Sequence, residues 1–395
     1  MFSQRALELK ESSTLKASDR AKQLKAQGKD IISLTLGEPD FPTPRPIVDY
    51  AKAALDQGKG HHYTPAGGLL EVREAIANFH QKKDGVPYTA EQVFIANGSK
   101  LVLYDLFQIL LDPGDEVIVP SPYWVSYEEQ IRLTGAKAVL AQTDADSDFR
   151  LTPEIIDQYL TPKTKILLIN SPANPTGTVL SKEELAAIAD YCLKHNLLMI
   201  ADEIYSQLVY NGNQFYSLAA ISPEARANTI VVNGMSKSYA MTGWRLGYCL
   251  ADQKIIKMLN KLAGQISGNA AGVSQYAALE AFKSGPELVE SMRSTYEERL
   301  NKGYEAVINL PGFELANKPQ GAFYLFPKCQ QAALSCGYDS VDDFVMAILE
   351  EAHVALVAGS AFGMPEHVRL SYATDENLFL EAIERISRFM QEKMN

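Results

Sequence analysis

Short apolar runs alternate with helix-like stretches through the middle of this chain. Residues 101–111 and 181–195 have helical spacing, and Ser181 followed by Glu184 forms a capping box at the start of the second stretch. Near-continuous apolar strands that alternate with helices predict an α/β fold with a mostly parallel sheet covered on both faces. The runs that predict strands are residues 93–96, 116–120, 165–170, 197–201, 229–233 and 246–250.

The pattern differs at both ends of the chain. Residues 5–27 form a polar amphipathic segment that ends at Gly28, and residues 31–37 predict a short strand before three prolines interrupt regular structure. After about residue 284 the alternation stops, and a charged helix at 286–310 leads to a small α+β region and a last helix at 376–390. We therefore expect an N-terminal arm and part of a small domain at 1–45, a large domain at 46–284 and a small C-terminal domain at 285–395.

Composition narrows the class of protein. Charged residues make up 22% of the 395 residues and the formal net charge is -11, so the surface repels nucleic acids and anionic membranes. The four cysteines (Cys192, Cys249, Cys329 and Cys336) form no C-x-x-C pair and have no histidine cluster near them, so we expect reduced thiols and no metal site. The chain has no secretory h-region and no apolar stretch of about 18 residues, which favours a cytoplasmic location.

Polar side chains follow the predicted strands at the points where each strand ends. Asn174 follows residues 165–170, Asp202 and Tyr205 follow residues 197–201, and Lys237 follows residues 229–233, with Arg245 eight positions later. Parallel α/β sheets bind ligands at the carboxyl ends of their strands. These side chains are therefore expected to converge on one crevice.

Pyridoxal 5'-phosphate (PLP) requires such a combination of groups. Its aldehyde needs a lysine and its pyridine nitrogen needs a carboxylate partner. Its phenolate oxygen needs neutral donors, which Asn174 and Tyr205 can supply. Its phosphate needs backbone N–H groups at a helix start and a cation. Gly98-Ser99-Lys100 opens a helix after a strand, and Arg245 supplies the cation.

These motifs occur in a characteristic order along nearly the whole chain, from Leu36-Gly37-Glu38-Pro39-Asp40 to Arg369-Leu370-Ser371-Tyr372. In that order they resemble the fold-type-I, class I PLP-dependent aminotransferases, and within them the gamma subgroup that includes bacterial aspartate aminotransferases. The resemblance implies a large PLP-binding domain with a mostly parallel seven-stranded sheet. It also implies a smaller α+β domain built from both chain termini.

The resemblance also assigns roles to single residues. Lys237 carries the cofactor and shuttles the substrate's α-proton, Asp202 is the partner of the pyridine nitrogen, and Tyr205 binds the phenolate oxygen. The further cofactor-binding residues that it implies are Gly98, Ser99, Lys100, Trp124, Asn174, Ser236, Arg245 and, from a second subunit, Tyr63. The implied substrate-binding residues are Gly37, Lys100, Trp124, Asn174 and Arg369. An active site shared between subunits implies a homodimer.

Two departures from the family pattern bear on phosphate and substrate. Gly234 stands three residues before the lysine, where relatives often have a phosphate-binding serine or threonine, and residues 265–274 contain no second arginine for a dicarboxylate. In the gamma subgroup a lysine at the position of Lys100 resembles the contact to the distal carboxylate, with Ser13 and Thr14 as accessory contacts.

The resemblance thus implies a ping-pong aminotransferase that acts on amino acids and 2-oxo acids, with aspartate as donor and 2-oxoglutarate as acceptor. An aromatic or prephenate aminotransferase, and a PLP-dependent C–S lyase on the same fold, remain alternatives.

Overall fold

The computed structural model describes residues 2–9 and 13–394, without the side chains of Gln4 and residues 13–18. Seven of its strands form one central sheet, and the others form two small sheets. The strands are β1 (Ile32–Ser33), β2 (Val93–Ala96), β3 (Glu116–Ser121), β4 (Lys137–Gln142), β5 (Thr164–Asn170), β6 (Leu198–Asp202), β7 (Thr229–Gly234), β8 (Gly247–Leu250), β9 (Tyr324–Leu325), β10 (Val354–Ala355), β11 (Val357–Ala358) and β12 (Val368–Ser371).

The central sheet has the order β2-β8-β7-β6-β5-β3-β4. Strand β8 runs antiparallel to both of its neighbours, and the other pairs are parallel. The register places Asn170 opposite Asp202, so β5 and β6 end at the same level. This alignment brings the polar segments that follow the two strands to one edge of the sheet.

Helices cover both faces of the central sheet, because its strands are apolar on both sides. The α-helices are α1 (Gln4–Glu8), α2 (Ser13–Ala26), α3 (Arg45–Asp56), α4 (Leu70–Asp84), α5 (Ser99–Leu110), α6 (Ser126–Arg132), α7 (Pro153–Tyr159), α8 (Lys182–Lys194), α9 (Pro223–Ala227), α10 (Gln253–Ile266), α11 (Gly272–Lys283), α12 (Glu287–Ile308), α13 (Gln330–Ser335), α14 (Val341–Ala347) and α15 (Glu376–Met394). Leu168 packs with the face that α5, α6 and α10 cover, whereas its neighbour Leu167 packs with the face that α7, α8 and α9 cover.

The two ends of the chain meet in the two-stranded sheet. Strand β1 pairs in parallel with β10, and β12 pairs antiparallel with both β11 and β9. Helix α12 leads from the central sheet into this region, where α12 and α15 pack against each other. The N-terminal segment is therefore fixed to the C-terminal part of the chain. The domain limits proposed from the sequence stay predictions.

The predicted fold class is confirmed, and the differences are local. Strand β4 was not among the predicted strands; its apolar run is only four residues long, at 138–141, and periodicity alone does not distinguish so short a run from part of a helix. The strand predicted at 31–37 has only two residues in β1, and Asp202 is the last residue of β6 rather than the first after it. The capping box of Ser181 and Glu184 is present at α8. No helix in the described ranges is long and apolar enough to span a membrane.

Candidate active site

Asp202 ends β6 with its carboxylate buried at the carboxyl edge of the sheet. Its Oδ2 accepts a hydrogen bond of 2.6 Å from the Tyr127 hydroxyl, and its Oδ1 accepts one of 3.3 Å from the backbone N–H of Ile204. Burial raises the pKa of the Asp202 carboxyl to about 6, while the bond from Tyr127 and the charge of Lys237 lower it. A carboxylate buried with so few donors needs a cationic partner to remain ionised.

Lys237 lies in the segment after β7, where its ammonium Nζ donates to the backbone carbonyl of Gly37. Burial lowers the pKa of the Lys237 ammonium to about 8. The charges of Glu38 and Asp202 raise this pKa, and those of Arg369 and Arg245 lower it. Charged residues from both ends of the chain and from the central sheet thus surround one amine. With this pKa, the amine loses its proton close to neutral pH.

Arg369 brings β12 to the same crevice. Its Nη1 donates to the side-chain oxygen of Asn174 over 3.1 Å, and its Nη2 donates to the carbonyl of Thr35 over 2.8 Å. The guanidinium carbon lies 4.4 Å from the ring centre of Tyr324. Arg369 is only 3% exposed, its Nε has no hydrogen-bond partner, and no carboxylate among the described residues pairs with it. Burial accordingly lowers the pKa of this guanidinium.

Tyr205 follows β6 and is joined to β9 by its hydroxyl, which lies 2.9 Å from the hydroxyl of Tyr324. Burial raises the pKa of both phenols, so both remain protonated at neutral pH. Tyr324 also lies under the Arg369 guanidinium, and a Cβ at Gly37 would be 3.0 Å from its hydroxyl. The absence of a side chain at Gly37 therefore keeps this part of the crevice open.

The start of α5 lies beside the Arg245 guanidinium. Gly98 precedes the helix with a φ of 92°, and a Cβ there would lie 2.4 Å from a guanidinium nitrogen of Arg245. The Arg245 guanidinium donates to the carbonyls of Thr242 and Asn97, and no carboxylate of the described chain pairs with it. Unpaired backbone N–H groups at a helix start beside an arginine suit a phosphate.

Ser99 does not point its hydroxyl into that site. Its Oγ donates to the carbonyl of Asn233 over 2.8 Å, so only its backbone N–H remains available to an anion. A Cβ at Gly234 would lie 2.6 Å from this same Oγ and 3.1 Å from the Cα of Gly247. The departure noted at Gly234 thus has a steric reason, because Ser99 and Gly247 fill the space that a side chain at residue 234 would need.

Trp124 and Lys100 line the other side of the crevice. The Trp124 ring meets the Tyr127 ring edge to face with centroids 5.3 Å apart, and Lys100 Nζ lies 4.9 Å from the Trp124 ring centre. Burial and the nearby Arg245 charge lower the pKa of the Lys100 ammonium. The position of the Lys100 Nζ at the Trp124 ring is where a contact to a distal carboxylate is expected.

The remaining predicted residues occupy different surroundings. Ser236 is buried one position before Lys237, whereas Tyr63 is 98% exposed. Such exposure fits a ring that a second subunit uses, but it does not place Tyr63 in this site. The side chains of Ser13 and Thr14 lie outside the described residues.

Sequence reasoning missed three contributors to this crevice: Tyr127, Tyr324 and the carbonyl of Thr35. Tyr127 lies on α6 just after Trp124 and Tyr324 begins β9, but buried aromatic residues are usually core residues. A backbone carbonyl leaves no trace in the sequence. These contacts become visible only from side-chain geometry.

Known proteins resemble the chain over its full length. The family described as aminotransferase class I and II matches residues 29–386. The aspartate aminotransferase of Geobacillus stearothermophilus is 47% identical over 390 residues, covering 99% of each chain. The asparagine–oxo-acid transaminase of Streptococcus mutans is 45% identical with the same coverage. The solved aspartate aminotransferase from Thermus thermophilus with maleate has a TM-score of 0.93 and 38% identity, covering 98% of this chain and 99% of that chain.

Proposed function

The chain belongs to the class I and II aminotransferases, and on that premise we propose that it transfers the amino group of aspartate to 2-oxoglutarate. It is a transaminase, so one substrate is an amino acid and the other a 2-oxo acid. The choice of aspartate and 2-oxoglutarate, the ping-pong order of the two half-reactions and the roles of single residues are the parts that we propose.

PLP is the cofactor that the family implies, and the crevice has a group for each of its polar atoms. Asp202 suits the pyridine nitrogen, Tyr205 and Asn174 suit the phenolate oxygen, and Lys237 suits the aldehyde carbon. The N–H groups at the start of α5 suit the phosphate together with Arg245, because a Cβ at Gly98 would fill the space beside the guanidinium. When bound, PLP supplies an electron sink for the pair of electrons that the substrate's Cα–H bond leaves behind.

The chain's own residues then bind the substrate and move its proton. Lys237 is the base for the α-proton, since its low pKa makes a neutral amine available near pH 8. Asp202, ionised beside the ring nitrogen, would stabilise a positive charge there. The Tyr205 hydroxyl would donate a hydrogen bond to the phenolate oxygen, and Tyr324 orients that hydroxyl through their hydrogen bond.

The observation that carries the proposal is the buried Arg369 guanidinium, with which no carboxylate of the described residues pairs. A buried cation with no anion is costly, and the cost falls when an anionic ligand pairs with it. An α-carboxylate fits because guanidinium and carboxylate bond through two parallel hydrogen bonds. Asn174 and Thr35 already fix the plane of the guanidinium, which orients the substrate before chemistry begins.

A dicarboxylate donor is favoured by the second cation, Lys100, across the crevice at the Trp124 ring. The names of two of the relatives point the same way, since one is an aspartate aminotransferase and another was solved with maleate, a dicarboxylate. The asparagine–oxo-acid transaminase among the relatives adds a donor whose distal group is neutral. Asparagine and phenylalanine are therefore the two alternative amino donors that an experiment has to exclude.

Single-turnover spectroscopy of the PLP-loaded protein tests the proposal. Aspartate, asparagine and phenylalanine are each added alone, and loss of the cofactor's visible absorbance is followed with formation of the matching oxo acid. We expect aspartate to react at least about tenfold faster than either competitor, the equivalent of one charge-assisted hydrogen bond. A faster reaction with asparagine or phenylalanine would reassign the donor, and elimination products without an oxo acid would point to a lyase.

A homodimer and a cytoplasmic location complete the proposal. The support for a dimer is Tyr63, which lies in the segment before α4 and is 98% exposed. The family resemblance assigns this tyrosine to the cofactor phosphate of a partner subunit. Sedimentation of the loaded protein at low and high concentration measures its oligomeric state.

A further inference from the structure

We propose that Tyr127 is a positioning residue for this reaction, acting on Asp202 from one side and on Trp124 from the other. The inference rests on the proposed function only in that PLP occupies the crevice. Nothing in the family comparison or in the sequence motifs assigns Tyr127 a role. It lies on α6, one turn after Trp124, and is 1% exposed.

The first contact concerns the carboxylate. The Tyr127 hydroxyl donates to Oδ2 of Asp202 over 2.6 Å, a short bond typical of a phenol that donates to an ionised carboxylate. Oδ1 has the weaker contact, 3.3 Å from the N–H of Ile204. The phenol therefore fixes the rotation of the carboxyl group and stabilises its negative charge, which leaves Oδ1 as the better acceptor for a protonated ring nitrogen.

The second contact concerns the stacking ring. The Tyr127 ring meets Trp124 at an interplanar angle of 85° with centroids 5.3 Å apart, the preferred edge-to-face arrangement of two aromatic rings. One side chain thus supports both the group expected at the cofactor's ring nitrogen and the ring expected on its face. The relative placement of Asp202 and Trp124 depends on Tyr127.

The surroundings of Tyr127 argue against a ligand-binding role of its own. It lines a cavity of about 50 Å³ together with Tyr123, Asn170, Asn174 and apolar residues. That volume suits about one or two water molecules and excludes an amino acid. Tyr127 therefore acts through its two neighbours rather than by touching the substrate.

Two substitutions separate the two contacts. Tyr127→Phe removes the hydroxyl but keeps the ring, and Tyr127→Leu removes both. The matched control is Tyr191→Phe, because Tyr191 also donates to an aspartate over 2.6 Å but does so to Asp157 on the exposed surface of α7 and α8. The control measures what the loss of a tyrosine–aspartate bond does when no cofactor is near.

Three readouts are taken on the PLP-loaded proteins. We expect Tyr127→Phe to lower kcat about tenfold with little change in KM, because one charge-assisted hydrogen bond on the catalytic carboxylate is lost. We also expect faster loss of PLP on dilution and a shifted pH titration of the cofactor's visible band. Tyr127→Leu should lose PLP faster still, and Tyr191→Phe should match the wild type in all three.

The double variant with Asp202→Asn shows whether Tyr127 acts through Asp202. Once the carboxylate is gone, Tyr127→Phe should cause no further loss of PLP retention or kcat. If Tyr127→Phe alone folds poorly, Asp202→Asn should restore its stability, because the unpaired buried charge is then removed. The proposal is overturned if Tyr127→Phe behaves like Tyr191→Phe, or if the two losses simply add. A wild type that retains PLP but does not react with aspartate would refute the proposed donor. PLP loss and the pH titration of the visible band would still test the role of Tyr127.

Discussion

Arg369 donates a hydrogen bond to the side-chain oxygen of Asn174, although 195 positions of sequence separate the two residues. One residue comes from β12 in the C-terminal part of the chain, and the other from the turn after β5 in the central sheet. The bond connects the group proposed for the substrate carboxylate with a group proposed for the cofactor. The two binding functions are therefore coupled through one direct contact.

Replacing Arg369 with Met tests its assignment to the substrate carboxylate. We expect kcat/KM for aspartate and for 2-oxoglutarate to fall at least about 100-fold, because a buried carboxylate would lose a bidentate partner. The unfolding temperature of the substrate-free protein should not fall, since the variant removes a buried cation that has no anion. Arg132→Met, which removes only a surface ion pair with Glu129, serves as the control. A fall in stability with unchanged kcat/KM would contradict the assignment.

Lys237→Ala should abolish transamination. We expect turnover to fall by at least about 10⁴-fold, because attachment of the cofactor and transfer of the α-proton depend on the same amine. The measurement is oxo acid formed from aspartate per active site, with Lys182→Ala on the exposed start of α8 as control. Sustained transamination by the Lys237 variant would remove this lysine from the mechanism.

Lys100→Ser tests the choice of donor. The variant should lower kcat/KM for aspartate about tenfold or more and leave phenylalanine nearly unchanged, because only aspartate has a distal carboxylate to lose its cation. The kcat/KM of each donor is measured with the wild type and with the variant. The ratio of the two kcat/KM values for phenylalanine is the internal control. Equal losses for both donors would show that Lys100 supports the cofactor or the fold instead.

Gly98→Ala should weaken PLP binding through Arg245. The added Cβ would lie 2.4 Å from a guanidinium nitrogen and displace the arginine from the start of α5. Gly114 has nearly the same positive φ, 93° against 92°, but nothing within 4 Å of its Cβ position. Both variants carry backbone strain, and only Gly98→Ala should lose PLP about tenfold faster. Equal PLP retention in the two variants would rule out the role of this close approach.

Asp202 makes the stability of the PLP-free protein depend on pH. Its folded pKa of about 6 exceeds the ordinary 3.8, so the folded chain binds the proton more tightly than the unfolded chain does. The free energy of unfolding should therefore decrease as pH rises from about 4 to about 6, by ~3 kcal/mol in total. Asp202→Asn lacks this decrease and should be the more stable protein at pH 7. Urea unfolding of both proteins at pH 4 and at pH 7 would measure the difference. A parallel pH dependence of both proteins would refute the raised pKa.

The sequence was most informative where chemistry depends on rare residue types at strand ends. Lys237, Asp202, Asn174 and Arg369 could be named because their neighbours formed recognisable motifs, and the structure places them around one crevice. Strand β4 was missed because its apolar run of four residues, at 138–141, is too short for periodicity to separate a strand from part of a helix. Its position became apparent from pairing with β3, which is a long-range property.

Contacts that depend on side-chain direction were out of reach of sequence reasoning. The sequence suggested that backbone N–H groups at Ser99 bind the phosphate, but it did not indicate that the Ser99 hydroxyl donates to the carbonyl of Asn233. The sequence assigned no role to Tyr127 or Tyr324, and each forms a hydrogen bond with a residue of the proposed catalytic set. In physical terms, a pattern of residue types predicts where an element ends, but packing determines which way a hydroxyl points.

The chain position of the crevice residues also has a consequence for synthesis on the ribosome. Gly98, Asn174, Asp202, Lys237 and Arg245 all belong to the central sheet or its turns, which are complete once β8 ends at Leu250. Thr35 is made early, but Arg369 lies on β12, which pairs with β9 and β11 and is made well after Leu250. A growing chain can therefore assemble its proposed cofactor half before it can bind a substrate through Arg369, which delays the onset of chemistry until β12 has been made.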